Sequence, residues 1–497
     1  MPTPAHPTAG ASAVSGSSSP SHPSLTRRRW LAQAGAGLAA STLGLAHGTA
    51  APATADADDL GWLDELEART FRFFWETTDA ATGLTPDRWP GPGPCSVAAM
   101  GFALSAYAVG IERGFVTREA AAARVRTTLQ TLHDLPQGPQ PEGKAGYKGF
   151  FYHFLDMRTG LRTGACELST VDTALLLAGA LHCQQHFDRA DPVERRIRDL
   201  AQALYERVDW RWAQVRPPSI SHGWQPEIGF LSSDWKGYNE AMIVYLLALG
   251  SPTFPVEPAA WSEWLSTCPR DWGTEHGQTY LRFPPLFGHQ FTHCWVDFRG
   301  LQDAYMREQG IDYFENSRRA TLAQQAYAVA NPNGWAGYGA EVWGVTASDG
   351  PANVERPFGD ALRQFISYAG RGMGGPHTGD DGTIAPYGAG ASIVFAPDIV
   401  VPTLKALHDR YGEHLIGRYG FYDAFNLSFT FEDVPLLHGR VIPGFGWVAS
   451  DYLGIDQGPF FAMLGNHRGE LIWRTMRKHP ALRLGLLRAG FRGGWLG

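Results

Sequence analysis

The sequence predicts an all-α fold in which paired helices form two concentric layers, a helical barrel. Three observations lead there. Apolar residues recur at helical spacing in one segment after another. These segments alternate between apolar on nearly every side and charged along one face, as an inner and an outer layer require. No regular alternation of strands and helices occurs, so a parallel α/β sheet is not expected.

The first helix is predicted over 58–78, where Leu60, Leu63, Leu66, Phe71 and Phe74 fall on one face. Further helices are predicted over 96–111, 117–132, 169–187, 192–208, 238–249, 293–309, 313–329, 358–369, 398–411 and 458–478. Loops rich in Gly, Pro and Trp separate them. Stretches 171–181 and 241–249 are apolar all round and belong to an inner layer; 119–132 carries charge on one face and belongs to an outer one. A small β element is expected at 427–432. No long Ser/Pro linker divides the chain, so 56–497 reads as one domain.

Of the 497 residues, 44% are hydrophobic, enough for a large core, and the formal net charge is −7. Without clustered Lys and Arg, neither nucleic acid nor an anionic membrane is an expected partner. Aromatic residues make up 12%, with 17 Trp and 17 Tyr; flat rings of this kind suit the apolar faces of sugars. Residues 1–55 read as a disordered extension followed by a twin-arginine signal. Arg27, Arg28 and Arg29 precede Trp30, Leu31 and a small-residue apolar run to about Ala46. That run is short of the roughly 20 residues a membrane span needs. A periplasmic or secreted protein, monomeric and without stable membrane insertion of the mature chain, is expected. The five Cys contain no CxxC pair and are expected as mostly buried free thiols.

Candidate chemistry centres on carboxyl groups set among aromatics, because cleaving a glycosidic bond takes two of them, one giving and one taking a proton. Glu240 follows Trp235 and Tyr238 and opens the helix predicted at 238–249. A helix N-terminus favours its charged form, so burial would have to win for it to act as an acid. Asp423 lies among Tyr419, Phe421, Tyr422 and Phe425. Glu167 precedes Ser169 and Asp172, whose spacing resembles a capping box. Asp349 and Asp456 sit in Asp-Gly and Gly-Pro contexts that suggest tight turns. Glu341, beside Tyr338 and Trp343, is a further cleft candidate. Trp235, Tyr238, Trp343 and Tyr422 are candidate sugar platforms. His289, His293 and Asp297 fall on one helical face, a weak metal pattern without HExxH; neither a metal nor an organic cofactor is expected.

These stretches together resemble the glycoamylase-like family that includes the endo-β-1,2-glucanases of glycoside hydrolase family 144 and its close relatives. The resemblance is carried by Phe71 to Trp75 with Gly83 to Thr85, Glu167 to Ala174, Tyr238 to Met242, Trp343 to Pro351, Tyr419 to Asn426 and Asp456 to Pro459. It implies an (α/α)6 barrel and anomer-inverting hydrolysis of β-1,2-glucan to short sophoro-oligosaccharides. It also implies Glu240 as general acid, Asp423 as general base, and Glu167 holding substrate. An exo-acting or transferring enzyme of the same fold, a polysaccharide lyase using His293 with Arg299, and a non-catalytic glycan binder are the alternatives.

Overall fold

The computed structural model describes residues 60–373 and 379–497; the stretch expected to hold a disordered extension and a twin-arginine signal, 1–55, lies outside the described residues. The helices form two rings. The first outer–inner pair is α1 (Gly61–Thr77) and α2 (Val97–Glu112); the second is α3 (Arg118–Asp134) and α4 (Thr170–His186). The third is α5 (Pro192–Glu206) and α6 (Met242–Gly250). The fourth pairs α7 (Ala259–Trp264) with two inner 3-10 turns, Leu286–His289 and Thr292–Cys294. The fifth is α8 (Tyr313–Ala330) and α9 (Pro386–Gly390); the sixth is α10 (Pro397–Leu415) and α11 (Gly454–Gly469). This is an (α/α)6 barrel.

The inner ring follows from composition. Every residue of α6 and α9, and the stretches 97–110 of α2, 170–183 of α4 and 454–466 of α11, are buried. A helix packed on every side cannot keep a polar face. By contrast α5 keeps a charged face and buries Ile197, Leu200, Ala201 and Leu204. Around the ring α9 touches α11, α11 touches α2, α2 touches α4 and α4 touches α6. The 286–294 turns close the circle: Thr292 Oγ1 donates to Glu240 O (3.3 Å), and Gln290 Nε2 donates to Gly388 O (2.7 Å) and Ser392 Oγ (2.8 Å). Inner helices α2 and α11 run parallel. Gly454, Gly458 and Gly465 of α11 lie against Ala99, Phe102 and Val109 of α2, in matching order. Gly101 and Gly179 let the backbones of α2 and α4 meet, since a Cβ on Gly101 would stand 2.2 Å from Leu175 O. The N-termini of α2 and α11 therefore open at one mouth.

Several predicted elements are corrected. Residues 358–369 do not form a helix. Val354–Phe358 and Ala361–Phe365 form a hairpin, turned at Gly359 with φ +58°. The predicted 293–309 helix stops at Cys294. Asp297 Oδ1 accepts from Arg299 N (3.1 Å), Gly300 is left-handed, and Asp303 caps a new helix, Ala304–Gln309. The helix predicted over 458–478 is α11, which begins at Gly454 and ends where Glu470 turns left-handed (φ +55°); Asn466 Oδ1 then takes the Ile472 N–H at 3.0 Å. The small sheet lies at Phe425–Asn426, Gly446–Val448 and Arg440–Ile442 rather than at 427–432. All five Cys are free, four of them buried. Among the described residues no helix is long and apolar enough to cross a membrane.

Candidate active site

Acidic side chains collect where the inner helices start. Asp423 lies between the short strands Gly420–Phe421 and Phe425–Asn426, and its N–H donates to Asp451 O at 3.0 Å. Its Oδ2 accepts from Asp349 N at 2.7 Å. Asp456, in the first turn of α11, is a neighbouring acid that acts electrostatically on the Asp423 carboxyl group. Asp456 is thus a helical residue, not one in a tight turn. Burial pushes the Asp423 carboxyl well above the usual carboxylate range; the nearby acids Asp456 and Asp349 push the same way, and the Asp349 N–H opposes them.

Behind this pair lies Arg88. Its Nη1 donates to Asp349 Oδ2 (2.8 Å) and Asp451 Oδ2 (2.8 Å) and sits 3.2 Å from His438 Nδ1. Burial would raise the Asp451 carboxyl, but His438 and Arg88 outweigh it and hold it at about 2. Ligand atoms of Asp349, His438 and Asp451 lie within 4.8 Å of one another, a grouping that could hold a cation. The guanidinium already reaches all three and supplies the positive charge there. The loop carrying Asp349 is fixed from below. Fully buried Arg371 donates to Ser348 O (2.8 Å) and pairs with Asp381 (2.7 Å), and Tyr387 Oη donates to Ala347 O (2.5 Å).

Glu240 is buried in the turn ahead of α6, whose first residue is Met242 and not Tyr238. Its backbone is pinned on both sides. Asn239 Oδ1 accepts from Ala241 N (3.0 Å) and Trp264 Nε1 (3.3 Å), and Glu240 O accepts from Thr292 (3.3 Å). Between α11 and α6 around the ring, α4 brings a second acidic group. Buried His153 sets Nδ1 3.1 Å from Glu167 Oε1 and Nε2 3.8 Å from Asp172 Oδ1. Ser169 Oγ caps α4 by accepting from Asp172 N (3.0 Å), and its hydroxyl meets the Asp172 carboxylate, as the capping-box spacing suggested. Arg88 and His153 were not singled out in the sequence. Each is a lone residue in a short strand region, and nothing local marks its partners.

Other expected site residues are placed differently. Trp235 is fully buried; one face stacks on His222 (3.8 Å between centroids) and Nε1 donates to Thr170 Oγ1 (2.9 Å). Trp343 is fully buried too, and Tyr238 packs parallel to Tyr313 at 5.8 Å. These three are corrected from sugar platforms to wall residues, because none offers an open ring face. Tyr422 is half-buried against Tyr452, 4.9 Å away, and keeps some accessible surface. Glu341 forms a surface ion pair with Arg410 of α10 and is not joined to the acidic groups by any hydrogen bond among the described residues. His289, His293 and Asp297 do not converge. His289 Nε2 meets Phe283 O (3.1 Å), His293 Nε2 meets Ser317 Oγ (3.1 Å), and Asp297 pairs with Arg299 and Arg477. Burial lowers both imidazoles to about 3.

Fold and site together define the class: an (α/α)6 barrel with buried acidic side chains gathered near the starts of inner helices. The chain belongs to the Glycoamylase family, whose model, described as "Putative glucoamylase", matches residues 232–480. A Bacteroides uniformis protein solved under the same description is 30% identical, with a TM-score of 0.74, over 90% of this chain and 100% of that one. The beta-1,2-glucanase from Parabacteroides distasonis is 28% identical at a TM-score of 0.74, over 89% of this chain and 61% of that one. An exo beta-1,2-glucooligosaccharide sophorohydrolase (non-reducing end) of Parabacteroides distasonis is 29% identical over 455 residues. That match takes in 85% of this chain, and the chain spans 57% of that relative's length.

Proposed function

We propose that the protein is a glycoside hydrolase that cuts β-1,2-linked glucan within the chain and inverts the anomeric carbon. The observation that carries the reading is the ring order. Glu240 precedes α6, Asp423 neighbours Asp456 at the start of α11, and these helices are opposite members of a six-membered inner ring with a shared mouth. A glucan lying across that mouth has one carboxyl group on each side. Glu240 gives its proton to the leaving oxygen; Asp423 takes a proton from the water that attacks the anomeric carbon from the other face. Inverting enzymes keep the two carboxyl groups about 6.5–9.5 Å apart to admit that water, against about 5 Å in retaining ones. Glu167, held by His153, and half-buried Tyr422 bind sugar units flanking the cleaved bond.

The substrate is read from similarity to two enzymes that carry β-1,2-glucan action in their names. One of them is an exo enzyme, which favours a second reading: release of disaccharide from one chain end. Digesting linear β-1,2-glucan decides both points. An early ladder of several product lengths, with the α-anomer formed first, is expected. A single early product of two glucose units selects exo action, and first-formed β-anomers refute inversion. Export by the twin-arginine route is part of the proposal. Replacing Arg27, Arg28 and Arg29 by Lys should leave the protein in the cytoplasm.

A further inference from the structure

We propose that Arg88 is a positioning residue for the base: its one guanidinium holds both of the residues whose main chains hold Asp423. The role rests on the reading of Asp423 as the base and deepens it. Asp423 is 2% exposed and is fixed at two points. Its Oδ2 accepts from Asp349 N (2.7 Å), and its own N–H donates to Asp451 O (3.0 Å). The carboxylates of those same two residues meet on Arg88. Nη1 donates to Asp349 Oδ2 and to Asp451 Oδ2, each at 2.8 Å, and Nη2 donates to Asp349 Oδ1 at 3.3 Å. Two paths of hydrogen bonds thus run from one side chain to the base.

Asp349 and Asp451 lie in different loops. Asp349 follows the strand Ala347–Ser348, and Asp451 precedes the strand Tyr452–Leu453. Both carboxylates are largely out of water, with side chains 0% and 9% exposed. Without a cation between them they repel each other, and parting the loops moves the N–H and the C=O that hold Asp423. Arg88 is itself set beside the start of α11. Its strand, Arg88–Trp89, pairs with Tyr452–Leu453, and Gly454 N donates to Asp87 O (2.8 Å). Buried Arg371 does not do the same work. It pairs with Asp381 and reaches Ser348 and Asp349 through their main-chain carbonyls.

Kinetics on the full chain test the role. Arg88→Ala should lower kcat about 100-fold and leave KM within about twofold, because the base is misplaced while the sugar contacts stay. Arg88→Lys keeps the charge without the planar fork and should still lose about tenfold in kcat. The guanidinium of Arg88 is 20% exposed, so a small cation can enter the space that Ala leaves. Guanidinium chloride at about 20 mM, too dilute to unfold the chain, should restore part of the Arg88→Ala rate, and ammonium chloride should not. In an Asp423→Asn background Arg88→Lys should cost less than about twofold, since no base remains to be positioned; with Glu240→Gln it should keep its full loss. A merely structural Arg88 would lower both backgrounds equally, and that result overturns the proposal. So does a normal kcat in Arg88→Lys and Arg88→Ala while Asp423→Asn is inactive, which leaves the base in place. Retained activity in Asp423→Asn instead overturns the reading of the base itself. Should Arg88→Ala not fold, Arg88→Lys and its two double variants decide.

Discussion

Asp423 and Asp451 are joined by a main-chain hydrogen bond of 3.0 Å, yet burial acts on them in opposite ways. Asp451 has Arg88 and His438 within hydrogen-bond reach and is held at about 2. Its share of stability, about 2 kcal/mol, is present above the unfolded value near 3.8 and is lost as pH falls through about 2. Asp423 has one N–H and two acids around it, and its proton affinity is raised. Its contribution is full at low pH and is lost as pH rises through the folded value. Asp423→Asn, which mimics the protonated acid, should therefore gain stability relative to wild type as pH rises from 5 to 8. Urea titrations at both values measure this; a pH-independent difference would contradict the raised proton affinity. Arg88 is the opposite test. Arg88→Met leaves Asp349 and Asp451 buried without their cation, and a loss of about 3–5 kcal/mol in denaturant unfolding is expected. A loss below 1 kcal/mol would mean that the acids find other partners.

At the scale of elements, the contact between α2 and α4 is a tight constraint. A Cβ on Gly101 would stand 2.2 Å from Leu175 O and one on Gly179 2.0 Å from Gly101 O, and backbone cannot yield as a side chain can. Ala is the better helix former by about 1 kcal/mol, while overpacking here costs about 3 kcal/mol or more. Gly101→Ala should therefore destabilise the protein; a higher melting temperature would show that the helices stand apart. The inner helices were legible in the sequence because being apolar all round is a local property, visible in 171–181 and 241–249. The inner turns at Leu286–His289, Thr292–Cys294 and Pro386–Gly390 were not, because three to five residues are too few to show a period. The 354–365 hairpin was misread because its helix-compatible composition hides a left-handed turn at Gly359. Glu240 and Asp423 were legible as lone acids among aromatics. Arg88 was not: its partners are 261 and 363 residues away, and only the closed ring brings them together.

For the whole molecule, the six-membered inner ring divides labour between opposite walls, and that division can be measured. The acid is needed in proportion to the basicity of the leaving oxygen, whereas the base is needed for every substrate because water must always be activated. Glu240→Gln should lower turnover of native β-1,2-glucan by about 100- to 10,000-fold. It should restore much of that rate on a glycoside with a nitrophenolate leaving group, which departs without a proton. Asp423→Asn should be slow on both substrates and recover on neither. Both variants should unfold cooperatively, since each exchange replaces one oxygen of a buried carboxyl group by an amide nitrogen and leaves the main-chain hydrogen bonds at Asp423 N and Glu240 O in place. The reversed pattern, with rescue in Asp423→Asn and none in Glu240→Gln, would exchange the two roles. Equal rescue in both would mean that the α6 and α11 walls do not act from opposite faces of the sugar, and the inverting geometry would have to be abandoned.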